Sequence, residues 1–131
     1  MVGTMKLGND PPEDLVLTPL ERAVLGELVA SLGASAADFR AQCDHARVLV
    51  RSHSGVGFVT RMRVPEEARP LGSEYANRSF AVHATHPQLR EAAEFLVQFK
   101  AGRLATIEAY CGEGMWPDDD AGFRVGLKPE G

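Results

Sequence analysis

Acidic and aromatic side chains gather in the second half of residues 94–117. Glu108 and Tyr110 stand two residues apart, and Glu113 and Trp116 follow shortly after them. Because alternate residues of a strand point to the same side, Glu108 and Tyr110 share a strand face. Two carboxylates held close together can act as general acid and base when burial raises the pKa of one of them. These residues therefore form a candidate binding or acid–base site.

Glu108 also has a structural interpretation. A glutamate on a strand can pair with an arginine on a neighbouring strand, and Arg61 or Arg63 could supply that partner. We favour this ion pair over a catalytic role. The sequence consequently predicts no catalytic residue, and Glu108→Ala should then lower the stability of the fold.

The histidines do not follow the spacing of a metal site. His83 and His86 are three residues apart on a predicted strand, and odd offsets place side chains on opposite faces. The chain has no HxH, HExxH or CxxC motif, which zinc sites usually show. We therefore expect surface histidines or hydrogen-bonded core histidines, with no metal and no cofactor. His83 is kept as a binding candidate.

Neither cysteine is predicted to be a nucleophile. Cys43 falls late in a helix, on its packing side, where the helix dipole disfavours a thiolate. Cys111 ends the predicted hairpin, and no nucleophile-elbow motif surrounds it. Two cysteines are too few for a disulfide framework and suit a reducing cytoplasm. The aspartates at 118–120 lack the spacing of a calcium loop, so we interpret them as a solvated turn.

Composition is that of one folded domain with an uneven charge layout. The chain has 131 residues and a net charge of −4, and its middle third (residues 46–90) carries seven arginines against three glutamates. A binder of nucleic acid usually has a basic whole domain, so nucleic acid is an unlikely partner for a chain with a pI of about 5.5. No apolar run reaches the length of a membrane span, and the N-terminus lacks the features of a signal peptide. These absences predict a cytoplasmic protein that does not contact a membrane.

Two helices are predicted at the start of the domain. Residues 1–17 lack periodicity and form a predicted flexible lead-in. Thr18 is a good N-cap, Pro19 suits the first helical position, and Glu21 completes a capping box. Leucine and valine then recur with a helical period until Gly33, where the first helix should end. Ser35 has the spacing of a second N-cap, so a helical hairpin is expected.

From residue 47 onward, the helical period is replaced by segments in which apolar residues recur at every second position. Alternating segments at 47–51, 57–64, 79–86, 95–99 and 104–111 predict five strands, and 123–125 could add a short edge strand. Two helices followed by such strands indicate an α+β fold, in which an N-terminal helical hairpin packs on a roughly five-stranded antiparallel sheet. Residues 18–131 should form this single domain.

The end of the chain resembles a pattern found in small uncharacterised bacterial proteins. Their C-terminal hairpin carries GRL, then I/L-E, an aromatic residue, Gly-Glu and Trp-Pro. The corresponding residues here are 102–104, 107–108, Tyr110, 112–113 and 116–117, with Gly114 and Met115 inserted before the tryptophan. The resemblance implies a bacterial α+β domain, and it carries over no activity and no catalytic residue.

Two functional hypotheses follow. The first is a protein-interaction module without catalysis, either immunity-like or a dimeric binding protein, whose partner is another protein or a second copy. The alternative is a small-ligand-binding protein or enzyme with a pocket at the helix/sheet edge, lined by Glu108, Tyr110 and Arg61. The binding candidates for both are Arg61, Arg63, His83, Glu108, Tyr110, Glu113 and Trp116.

Overall fold

The computed structural model describes residues 16–126, and it has the predicted α+β architecture. Two helices precede a six-stranded antiparallel sheet. The sheet has six strands, compared with the roughly five predicted, and the sixth is the short edge strand that the pattern allowed near residues 123–125. The elements are α1 Pro19–Gly26, α2 Ala36–His45, β1 Arg47–Ser54, β2 Gly57–Arg63, β3 Ser79–Thr85, β4 Ala93–Lys100, β5 Arg103–Tyr110 and β6 Arg124–Gly126.

The strands lie in the order β1-β2-β5-β4-β3-β6, and every neighbouring pair is antiparallel. The turn between β4 and β5 consists of Ala101 and Gly102, whose φ angles are 52° and 80°. Two consecutive left-handed residues match the right-handed twist of the flanking strands, which explains the tight hairpin. This turn places Lys100 opposite Arg103, and a bulge shifts the register of the two central strands between Gln98 and Phe99.

The core lies between the helices and one face of the sheet. On β4 the residues at 93, 95, 97 and 99 are buried, and those between them are only partly covered. Leucines and valines from residues 17–32 and Phe39 of α2 pack against this face, with the rings of Phe39 and Phe99 centred 5.7 Å apart. The strand alternation read from the sequence is therefore the alternation between core and exterior.

The predicted first helix is shorter than expected. Regular α-helix ends at Gly26, and 3-10 turns at Val29–Ser31 and Gly33–Ser35 continue to α2. Glycine has a low helix propensity, so the helix gives way there, while the apolar side chains beyond it stay buried. Ser35 is the N-cap residue of α2, as predicted, but its side chain makes no capping hydrogen bond, and its hydroxyl accepts from the N–H of Gly72 instead.

The predicted lead-in falls almost entirely outside the described residues. Leu17, its last residue, is a correction to that prediction, because its side chain is buried in the core. Within residues 16–126, no helix is long and apolar enough to cross a membrane.

Candidate functional site

The sheet has one face that none of the described elements covers. We call it the open face; it consists of the outward residues of β1 to β5. The strand register arranges them in rows, such as Ser52, Val59, Glu108, Leu96 and Ala81 across the five strands. Five of the seven sequence candidates lie on this face: Arg61, Arg63, His83, Glu108 and Tyr110.

One end of the open face is basic. Arg47 and Arg63 are register partners on β1 and β2, and Lys100 and Arg103 are register partners across the β4–β5 turn. Arg61 lies beside them on β2. The guanidinium of Arg103 donates to the carbonyls of Glu66 and Ala68 at 3.2 and 3.1 Å. Within residues 16–126, no carboxylate lies within 4.0 Å of these five cations. Like charges directly opposite each other on a sheet are destabilising, so this end favours an anionic partner.

We call the opposite end of the open face the acidic end, because Glu94 lies in its last row and Glu108 in the row before it. The exposed Arg124 of β6 stands beside this end, opposite Thr85. Glu94 is the register partner of both His83 and Tyr110. The Tyr110 hydroxyl donates a hydrogen bond to one carboxylate oxygen of Glu94, and His83 Nε2 lies 3.4 Å from the other. Hydrogen bonding to Glu94, followed by the charge of that carboxylate, raises the pKa of Tyr110 above its ordinary value. Tyr110 therefore stays protonated and serves as a donor.

The expected ion pair between Glu108 and a strand arginine is not formed. Glu108 stands opposite Val59, whereas Arg61 stands opposite Thr106. Glu108 is exposed and has no cationic nitrogen of the described residues within 4.0 Å. We therefore no longer expect Glu108→Ala to lower stability, because an exposed side chain without a strong contact contributes little.

His83 and His86 do not share a site, as their odd spacing had predicted. His83 lies on the open face, while His86 is buried, with its ring 4.8 Å from that of Phe123. The Nε2 of His86 lies 2.9 Å from the Asp119 carbonyl, and its Nδ1 accepts from the N–H of Gln88 at 3.0 Å. This is the hydrogen-bonded core histidine that the sequence predicts. Among the described residues, no group of three or more His, Cys, Asp or Glu side chains could hold a metal ion.

Cys43 behaves as a core residue. It packs against the core and, with burial as the main cause and Asp44 as the second, its pKa rises from 9.0 to about 12. The thiolate that a nucleophile needs is therefore suppressed at neutral pH. Cys111 is buried as well.

A groove with a volume of about 880 Å³ lies on the helical side of the sheet, opposite the open face. Its walls are the start of α1, the β1–β2 turn and residues 115–118 and 120. Trp116 lines it, whereas Glu113 is exposed outside it, 3.8 Å from Arg90. The predicted pocket at the helix/sheet edge thus exists, but its predicted lining is wrong, since Glu108, Tyr110 and Arg61 lie on the open face.

A buried ion pair forms one wall of this groove, and the sequence analysis did not predict it. Glu21 is fully buried, and Arg51 donates to both of its carboxylate oxygens, at 2.7 and 3.0 Å. Thr60 donates to Glu21 at 2.5 Å, and the N–H of Thr18 donates to it at 2.9 Å. The capping box was predicted correctly. Strict alternation through residues 47–51 would place Arg51 on the outer face together with Arg47, and that expectation is wrong.

A β-bulge explains that error. The register between β1 and β2 shifts between Val48 and Val50, so Leu49 is an extra residue. Past this bulge the alternation reverses: Val50 turns outward and is 43% exposed, and Arg51 turns toward α1. The exposed valine within an apolar alternation is the consequence of this shift.

No protein-family model, curated protein or solved structure matches this chain. The proposed functions therefore rest on the geometry of the open face and of the groove.

Proposed function

We propose that this protein is a protein-interaction module that binds a second copy of itself through the open face of its sheet. One observation supports this most directly: the two ends of the face carry opposite charges. The basic end has five cations without a carboxylate partner among the described residues, and the acidic end carries Glu94 and Glu108.

This charge distribution is complementary to itself. Two-fold symmetry is the commonest arrangement of identical chains, and it brings the same patch of both copies together. An axis parallel to the sheet and perpendicular to the strands turns one copy end for end. The acidic end of each copy then lies over the basic end of the other, and the like-charge pair Arg47–Arg63 gains an anionic neighbour.

The centre of the open face supports the same contact. Val59, Leu96 and Ala81 lie in one row with Glu108, and Val50 lies in the next row, opposite Arg61. These apolar side chains would be buried in the contact, together with the charged side chains beside them. Sheets that pack face to face bury such side chains between them.

A second copy fits better than a nucleic acid. The acidic end of the open face and the net charge of −4 would repel a phosphate backbone that extended beyond the basic end. An immunity-like contact with a different protein would use the same face, and it is one outcome of the experiment below.

A charge-swap experiment tests the proposal. Arg63 and Glu108 are separated by four residues along the strand direction, about 13 Å, so they do not pair within one chain. We expect the wild-type chain to sediment as a dimer, and Arg63→Glu or Glu108→Arg alone to weaken the dimer at least tenfold. The double variant should restore dimer formation, because the swapped charges meet again across the interface.

Arg40→Glu is the matched control, because Arg40 is exposed on α2, on the helical side of the sheet. It should leave the dimer unchanged. A wild-type chain that sediments as a monomer up to millimolar concentration would overturn the proposal and leave a different protein as the partner of the open face. Failure of the double variant to dimerise, with both single variants folded, would show that the face is not used in the proposed orientation.

A further inference from the structure

The groove is separate from the open face, and its side chains are not used by the proposed dimer. It lies on the helical side of the sheet, between the start of α1 and the β1–β2 turn. Its volume of about 880 Å³ is within the usual range for sites that hold a small organic molecule. What the groove can bind depends on its walls.

Aromatic and apolar side chains form much of the wall. Phe58 packs edge-on against Trp116, with ring centres 5.6 Å apart, and His53 lies 5.9 Å from Phe58 on the other side. Val16 and Met115, which also line the groove, are 46% and 71% exposed. Large apolar side chains exposed together around a concavity are typical of a binding surface.

The charge of the groove is negative. Arg51 does not offer a free positive charge, because its guanidinium is held by both carboxylate oxygens of Glu21. Asp118 and Asp120 line the groove, are exposed, and have no cationic nitrogen of the described residues within 4.0 Å. The walls therefore combine aromatic rings with two uncompensated carboxylates.

We propose that this groove binds a small organic cation with an apolar body, such as an aralkyl ammonium ion. Its charged group would be attracted by Asp118 and Asp120, and by the face of an aromatic ring if it approaches Trp116. Its apolar body would cover the exposed side chains of Val16 and Met115. An organic anion would meet the two carboxylates and find no available cation, since Arg51 is already paired with Glu21.

Trp116 provides the measurement, because the chain contains one tryptophan and this residue lines the groove. The probes are phenylbutylammonium, phenylbutanol and phenylbutyrate, which share a body and differ in charge. Titration of the full chain should change the tryptophan fluorescence saturably with phenylbutylammonium. Phenylbutanol should bind about fivefold more weakly, and phenylbutyrate more weakly still.

The variant Asp118→Asn/Asp120→Asn should lower the affinity for phenylbutylammonium at least about fivefold and leave that for phenylbutanol unchanged. Asp44→Asn, an exposed aspartate on α2 outside the groove, should change neither affinity. Equal affinities for the ammonium and the carboxylate probe would overturn the proposal. An absence of saturable binding, checked by calorimetry, would overturn it as well.

Discussion

At the scale of single residues, Glu21 has the most demanding environment in the structure. Its carboxylate is fully buried, and it accepts hydrogen bonds from Arg51, Thr60 and the backbone of Thr18. Arg51 also reaches the carbonyl of Val16, so one side chain fastens the start of α1 to the sheet. A buried carboxylate is tolerated only while such partners surround it.

The ion pair leads to a prediction about stability. Arg51→Met leaves Glu21 buried without its cation, which should lower the free energy of unfolding by about 3–5 kcal/mol. The loss is measured by urea unfolding at neutral pH. Arg22→Met is the control, since Arg22 is exposed on α1, and it should change stability by less than about 0.5 kcal/mol.

The double variant Glu21→Leu/Arg51→Met separates the two contributions. It removes the charge together with its partner, so it should be more stable than Arg51→Met alone. Equal stability of Arg51→Met and Arg22→Met would contradict the structural role of the pair.

At the scale of elements, the β4–β5 hairpin is joined to α2 by one amide. Gln42 is fully buried, and its Nε2 donates to the carbonyls of Arg69 and Gly102 at 3.0 and 2.9 Å. Its Oε1 accepts from the N–H of Leu104 at 2.9 Å. The helix therefore satisfies backbone groups at the tip of the hairpin, which positions the basic end of the open face.

Removal of this amide should destabilise the fold. Gln42→Leu leaves the buried N–H of Leu104 without its partner, while the Gly102 carbonyl keeps its hydrogen bond from the N–H of Leu71. We expect a loss of about 1–3 kcal/mol in the free energy of unfolding. Gln88→Ala, an exposed glutamine in the β3–β4 connection, is the control in the same urea experiment. If both variants unfold at the same urea concentration, the amide does not hold the hairpin.

At the scale of the whole molecule, charge is separated along the open face, and the proposed dimer depends on that separation. Ions screen exposed charges over a distance that shrinks as their concentration rises. We expect the dissociation constant of the dimer to rise about tenfold between about 0.05 M and about 0.5 M sodium chloride. Sedimentation equilibrium measures this change, and a dissociation constant that is constant or falls with salt would point to an apolar contact instead.

Much of the fold follows from the pattern of apolar and polar residues that are close together in the sequence. The α+β class, the capping box at Thr18 and the five alternating segments were all predicted, because each depends on residues close together in sequence. The basic end could also have been found from sequence, since a two-residue turn after Lys100 places Arg103 directly opposite it.

The features that the sequence did not predict depend on contacts between residues that are far apart in the chain. The bulge at Leu49 reverses the alternation on β1, and no local signal revealed that Arg51 would meet Glu21 across 30 positions of the chain. Register likewise placed Glu108 opposite Val59 rather than an arginine, because the pairing of β2 with β5 is set by the packing of the whole core.

The sequence by itself determined which segments are helix or strand and, on the strands other than β1, which residues face the core, because periodicity reflects the side on which each side chain is buried. Only the tertiary structure decided which charges meet, since that depends on register and on the order of strands. It separated the aromatic Trp116 from Glu108 and Tyr110, so residues that are neighbours in the chain belong to two different surfaces.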